Sequence, residues 1–193
     1  MRRPGEHLKT AFFFYRWIPR LPPRVALFYV RARILARKLE DQHALVSFTH
    51  PMDIARILAL SNGCSHVVEI GTSEGWSAIA FALADDARRV STYDPTIYAT
   101  RDRYIALGGA ASARVTFITA LGEQPISDDV ADFVFIDGAH DKETTRAAFE
   151  AWRGRLAVGG RIVFHDYGWS GVRDAIAELD LGGRVDQGMY IWP

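Results

Sequence analysis

The sequence predicts an α/β fold, a doubly wound, mostly parallel sheet with helices on both faces and an N-terminal helical extension. Three observations predict it. From Val67 onward short apolar runs alternate with segments of helical period, the connections between them are short, and Gly-Gly or Asn-Gly pairs close most of the helical segments. Such alternation places crossover helices on both sides of a buried parallel sheet. A chain of 193 residues is the size of one domain and can bury a substantial core.

The chain opens with LKTAFFFYRWIPRLPPRVALFYVRARILARKLE, which mixes aromatics with Arg and Lys. No apolar run in it approaches the ~20 residues of a membrane span. It lacks the small-residue cleavage site of a signal peptide, and Pro19, Pro22 and Pro23 break it early. Val25, Phe28, Ala32, Leu35 and Leu39 form one helical stripe, which predicts a helix from Val25 to about Leu45 packed on the domain or on a second subunit. Basic and aromatic residues together also suit a membrane surface, the lesser expectation. A second helix starts near Thr49, with Pro51 in its first turn, and stops at Asn62-Gly63. Residues 1–48 therefore read as arm and extension, and 49–193 as the main domain.

Within that domain Val67–Ile70, Arg89–Tyr93, Arg114–Ile118, Ala131–Ile136 and Arg161–Phe164 read as strands. The helices between them run over Gly75–Ala84, about Ile97–Leu107, and about Lys142–Leu156 with Phe149, Trp152 and Leu156 facing inward. Gly159-Gly160 is expected to end the last of these. Ser170 suits an N-cap for a helix carrying Val172, Ile176 and Leu179. Arg184–Val185 and Met189–Ile191 are short enough to pair as the last strands.

Bulk properties narrow the function. Lys plus Arg equals Asp plus Glu, so nothing in the net charge argues for nucleic acid. Cys64 is the only cysteine, which excludes an internal disulfide and fits a reducing, cytoplasmic setting.

In open parallel sheets ligands sit beyond the carboxyl ends of the strands. The first such end reads VVEIGTSEGWS. Gly71 and Gly75 bracket a tight strand-to-helix turn, where the missing Cβ would let a ligand approach the backbone. The spacing is G-x-x-x-G, and Ser73 occupies the place of the middle glycine that admits a pyrophosphate, so a dinucleotide oxidoreductase is disfavoured. Glu69 would repel a phosphate and suits a cation. Asp94 closes the next strand, where a carboxylate can accept two ribose hydroxyls. A cation, a glycine turn and a ribose describe a site for S-adenosylmethionine (SAM).

VVEIGTSEGWS, STYDP, FVFIDGAH and GGRIVFHDY, taken in order, resemble the class I SAM-dependent methyltransferases with their Rossmann-like sheet. More narrowly they resemble the metal-dependent natural-product O-methyltransferases of the macrolide-sugar type, from about Asp53 to the C-terminus. The resemblance implies cofactor contacts by Glu69, Gly71 and Asp94. The expected cofactor set is Glu69, Gly71, Thr72, Ser73, Gly75, Asp94, Leu121 and Asp137. Leu121 departs from the family pattern, which often has an acid there, so backbone and apolar packing would hold the adenine.

Asp137 ends the fourth strand and Asp166 the fifth. On adjacent strands about 4.8 Å apart, two carboxylates repel unless something positive lies between them, and a divalent cation is the economical answer. His165 stands where the family usually has a carboxylate; it is the expected third ligand with Asp137 and Asp166, the alternative being that it points to the other face, since successive strand residues alternate. Mg²⁺ is expected first by resemblance, although an imidazole shifts preference toward Mn²⁺, Co²⁺ or Zn²⁺. His140 lies at the offset at which the resembling methyltransferases have their proposed base, and a neutral imidazole suits that role. Asp141 reads as a helix cap. The expected acceptor is a small-molecule hydroxyl. Two alternatives stay open, a metal-independent O- or N-methyltransferase and a catalytically silent SAM-binding partner subunit. The N-terminal helices are the expected surface for a homo-oligomer.

Overall fold

Seven strands in the order β3-β2-β1-β4-β5-β7-β6 form the central sheet of the computed structural model, which describes residues 13–126 and 130–193. The start of the N-terminal arm, residues 1–12, lies outside the described residues. In chain order the elements are α1 (Pro23–Lys38), α2 (Gln42–Ser47), α3 (Pro51–Leu60), β1 (His66–Ile70), α4 (Trp76–Ala84), β2 (Arg89–Tyr93) and α5 (Arg101–Gly108). There follow β3 (Val115–Ile118), β4 (Ala131–Ile136), α6 (Lys142–Arg153), β5 (Leu156–Phe164), α7 (Ser170–Glu178), β6 (Arg184–Asp186) and β7 (Met189–Trp192). β1 to β5 pair in parallel, while β7 runs antiparallel to β5 and β6. The expected doubly wound α/β fold is the fold observed.

Strand alternation sorts the core into two layers. Val67, Val90, Phe133, Phe135 and Val163 face a cluster with α1, α3 and α4, whereas Val68, Tyr93, Val134, Ile136, Ile162 and Phe164 face α6 and α7. The N-terminal extension belongs to the first layer. Phe14, Val25, Phe28, Tyr29, Ala32 and Ala36 are buried there, and the Trp76 ring of α4 lies 5.7 Å from Tyr29 and 5.3 Å from Phe48. Ring burial of this kind is large per residue, so the extension is part of the domain's core.

Three boundaries differ from the sequence reading. The helix expected from Val25 to Leu45 is two helices, because Glu40 takes a positive φ of 54° and Asp41 starts α2, its carboxylate accepting from the Ala44 amide at 2.9 Å. Leu39, expected on the inner stripe, is consequently exposed. Leu156 does not end α6 but opens β5, where it pairs with Ala131, and Gly159-Gly160 fall in the irregular stretch where the pairing shifts register. Helix α5 begins at Arg101 rather than Ile97, after an irregular segment that follows Asp94.

Candidate active site

A cavity of about 680 Å³ opens at the carboxyl ends of β1, β2, β4 and β5. Gly71, Thr72, Ser73, Asp94, Leu121, Asp137, His140, His165 and Asp166 line it, so nine of the expected site residues share one space. Glu69 and Gly75 lie outside the lining.

The glycine turn is shaped by its own backbone. Gly71 has φ 102°, and a Cβ there would stand 2.1 Å from the Asp137 carbonyl oxygen. The missing side chain therefore lets the β1 and β4 ends meet, a reason different from the expected ligand approach. Gly75, at φ 81°, would press a Cβ against the Phe117 ring. Ser73 takes a positive φ of 48° without being glycine. Its strain is held by neighbours, since its amide donates to Asp94 Oδ2 at 2.8 Å and its carbonyl accepts from Arg101 Nε at 2.8 Å. Asp94 Oδ1 accepts from the Thr96 amide at 2.8 Å, so this carboxylate shapes its turn while still facing the cavity.

Glu69 is fully buried behind the turn. Thr92 Oγ1 donates to its Oε2 at 2.6 Å, which leaves Thr72 Oγ1 to donate to Thr92 at 2.6 Å. Oε1 has no aligned hydrogen-bond partner. Burial pushes the carboxyl up to about 8, against the hydroxyls of Ser77 and Thr92. An orphaned buried oxygen fits a cationic group close by.

The opposite end is built from charge. His165 Nδ1 lies 2.8 Å from Asp137 Oδ1 and 3.5 Å from Asp166 Oδ2, while its Nε2 faces Asp53 Oδ2 at 3.6 Å. Burial works against its charged form, but Asp137 foremost, with Asp166 and Asp53, pushes the imidazole up to about 12. His140 Nε2 stands 3.0 Å from Asp166 Oδ2, an ion-pair distance without hydrogen-bond alignment, and its ring stacks on Trp169 at 5.0 Å. Asp166 beside it raises His140, and His140 and His165 hold Asp166 well below the usual carboxylate range. Asp166 itself has φ 52°, the second non-glycine residue of the site in the left-handed region. Donor atoms of Asp137, His140 and Asp166 lie within 4.8 Å of one another. His165, expected as third ligand, instead turns both nitrogens to carboxylates. Asp141 caps α6 as expected, accepting from the Thr144 amide at 2.9 Å.

The sequence reading missed what the N-terminal layer contributes. Thr49 Oγ1 donates to Asp137 Oδ2 at 3.1 Å, and Tyr29 of α1 donates to the Thr49 carbonyl at 3.2 Å. His43 stacks on Tyr98 at 4.3 Å and, with Ser47, reaches the Ser73 hydroxyl at 3.1 and 2.9 Å. Asp53 reads in sequence only as an acid in a helix first turn. Ser77 lies in the quoted glycine stretch, and its hydroxyl, the sort that orients a ligand at a turn, was the available signal.

A methyltransferase-domain family model matches residues 68–167, which is 100 of the 193 residues and contains both ends of the cavity. The chain belongs to this family of methyltransferase domains. The family match makes it a methyltransferase, with SAM as the cofactor the family supports. Among solved structures, a Staphylococcus aureus protein assigned as a caffeoyl-CoA O-methyltransferase superposes with a TM-score of 0.68 at 20% identity, over 95% of this chain and 98% of that one. CalS11, a TDP-rhamnose 3'-O-methyltransferase of calicheamicin biosynthesis, gives 0.63 at 17% identity over 100% and 95%. MycE from the mycinamycin pathway, in complex with Mg and SAH, gives 0.55 at 17% identity over 74% of this chain and 48% of its own. At these identities the likeness is one of fold. No curated protein matches the chain significantly in sequence.

Proposed function

We propose that the protein moves the methyl group of SAM to a hydroxyl of a small molecule, assisted by a divalent cation. The observation that carries this is one cavity with a neutral, backbone-rich turn at one end and a carboxylate and imidazole cluster at the other. At the first end Thr72, Ser73 and Asp94 would hold the cofactor's polar groups, and Leu121 would pack on its adenine. Glu69, protonated below about pH 8 while no ligand is bound, would ionise when the cofactor's positive charge lies in front of its unpartnered Oε1.

The second end fits a divalent ion. The carboxylates of Asp137 and Asp166 converge there, with ligand oxygens within 4.8 Å of each other. Asp137 and Asp166 would hold the ion, Mg²⁺ or a metal more tolerant of nitrogen such as Mn²⁺. When bound, such an ion supplies Lewis acidity that eases ionisation of an acceptor hydroxyl. His140 would take the acceptor's proton at Nε2, with Trp169 fixing its ring and Asp166 stabilising the imidazolium. His165 would hold Asp137 in place rather than ligate.

One observation favours a second, metal-independent reading. His165 already places a positive charge between Asp137 and Asp166, the arrangement from which a metal was inferred. Calorimetric titration separates the two without knowledge of the acceptor. SAH should bind, and Mg²⁺ or Mn²⁺ should bind the intact chain and not an Asp137→Ala, Asp166→Ala variant. Failure of SAH to bind overturns both readings. SAH binding without any divalent binding moves the conclusion to the metal-independent one.

A further inference from the structure

Helix α1 presents two different faces. Val25, Phe28, Tyr29, Ala32 and Ala36 are buried against α4, as an extension packed on its own domain requires. On the opposite side Leu27 and Ile34, two turns apart, are 59% and 56% exposed. At helical spacing Arg31 and Lys38 flank that apolar pair on one side and Arg37 on the other, all three exposed. No acidic residue occurs in α1. The asymmetry extends beyond the helix. Of the chain's 23 Lys and Arg and 23 Asp and Glu, the first 40 residues hold ten and two, which leaves thirteen and twenty-one for the rest.

We propose that the outer face of α1 docks the protein on an anionic lipid surface. Apolar side chains at the centre of a face with basic residues along its margins are what an interfacial helix needs: the apolar part enters the acyl boundary while the cations meet the headgroups. Charge complementarity selects this occupant over a second copy. A two-fold contact through α1 would set the same basic face against itself. No helix among the described residues is long and apolar enough to cross a membrane, so the contact is peripheral. It is independent of the methyl-transfer chemistry, and its role would be to present the enzyme to acceptors that partition into membranes.

Co-sedimentation of the full chain with phosphatidylcholine vesicles, with and without phosphatidylserine, tests this. The anionic vesicles should pellet the protein, the neutral ones should not, and added salt should weaken the binding. Leu27→Glu with Ile34→Glu should lower the bound fraction about tenfold at unchanged melting temperature, because both side chains point away from the core. Arg31→Glu with Lys38→Glu should abolish the dependence on phosphatidylserine. The proposal is overturned if the intact chain ignores anionic vesicles, if neutral ones bind it equally, or if the Leu27 and Ile34 variant binds as well as the parent. A concentration-dependent dimer that this variant abolishes, without vesicle binding, would instead assign the face to a second copy.

Discussion

The two ends of the cavity are built by opposite means. The cofactor end is held by backbone geometry and neutral hydrogen bonds: the Gly71 turn against Asp137, Ser73 on Asp94, and the Thr72, Thr92, Glu69 relay. The proposed acceptor end is held by Asp53, Asp137, His140, His165 and Asp166, which lie at ion-pair distances from one another. The contrast separates binding from chemistry. Shape and hydrogen bonds suit a cofactor that must be gripped in every cycle. Carboxylates and imidazoles at ion-pair distance suit a proton that must move.

Breaking the backbone contact that joins the ends should give the largest effect. Gly71→Ala adds a Cβ 2.1 Å from a carbonyl at a φ of 102°. Strain and overpacking together should cost about 3 kcal/mol or more, read from denaturant unfolding. A stability within 1 kcal/mol of the parent would show that the two loops adapt independently.

Asp137→Asn tests whether the ends are separate. It keeps the shape but removes the charge that faces His165 at 2.8 Å. Divalent affinity should fall about 10- to 100-fold, while the SAH dissociation constant stays within about threefold. An equal loss of both would mean that one charge organises the whole cavity.

The smallest effect concerns Glu69, a fully buried carboxyl behind the glycine turn. Its carboxyl is raised from 4.5 to about 8, so across that window the folded chain keeps a proton that the unfolded chain releases. Its stabilising contribution is full below pH 4.5 and is lost as pH rises through about 8. Without ligand, the parent should lose stability between about pH 4.5 and pH 8, and Glu69→Gln should lose less, by about 1 kcal/mol or more. Glu74, raised to about 7 chiefly by burial, runs in the same direction in both proteins, so the difference isolates Glu69.

Much of this was legible from spacing. The positions of Gly71, Asp94, Asp137 and Asp166 follow from where strands end, because a parallel sheet delivers all its carboxyl ends to one edge. The splitting of α1 from α2 was not legible, since Asp41 caps α2 only because its turn is also fixed by Thr100 and Tyr104, which donate to its other oxygen at 2.7 and 2.9 Å. The role of His165 was equally hidden. Its neighbour in the chain, Asp166, contributes to its charge, but the foremost partner is Asp137, at the end of a different strand, and Asp53 adds to it from a helix that precedes the sheet.

By itself the sequence determined the sheet, its helices and the edge at which chemistry gathers, because strand and helix periodicities and glycine turns are local properties. Only the tertiary structure decided which charges meet. His165 acquires its charge from residues remote along the chain, Asp53 and Asp137, at distances that folding sets, and Coulomb energy follows those distances rather than position in the chain.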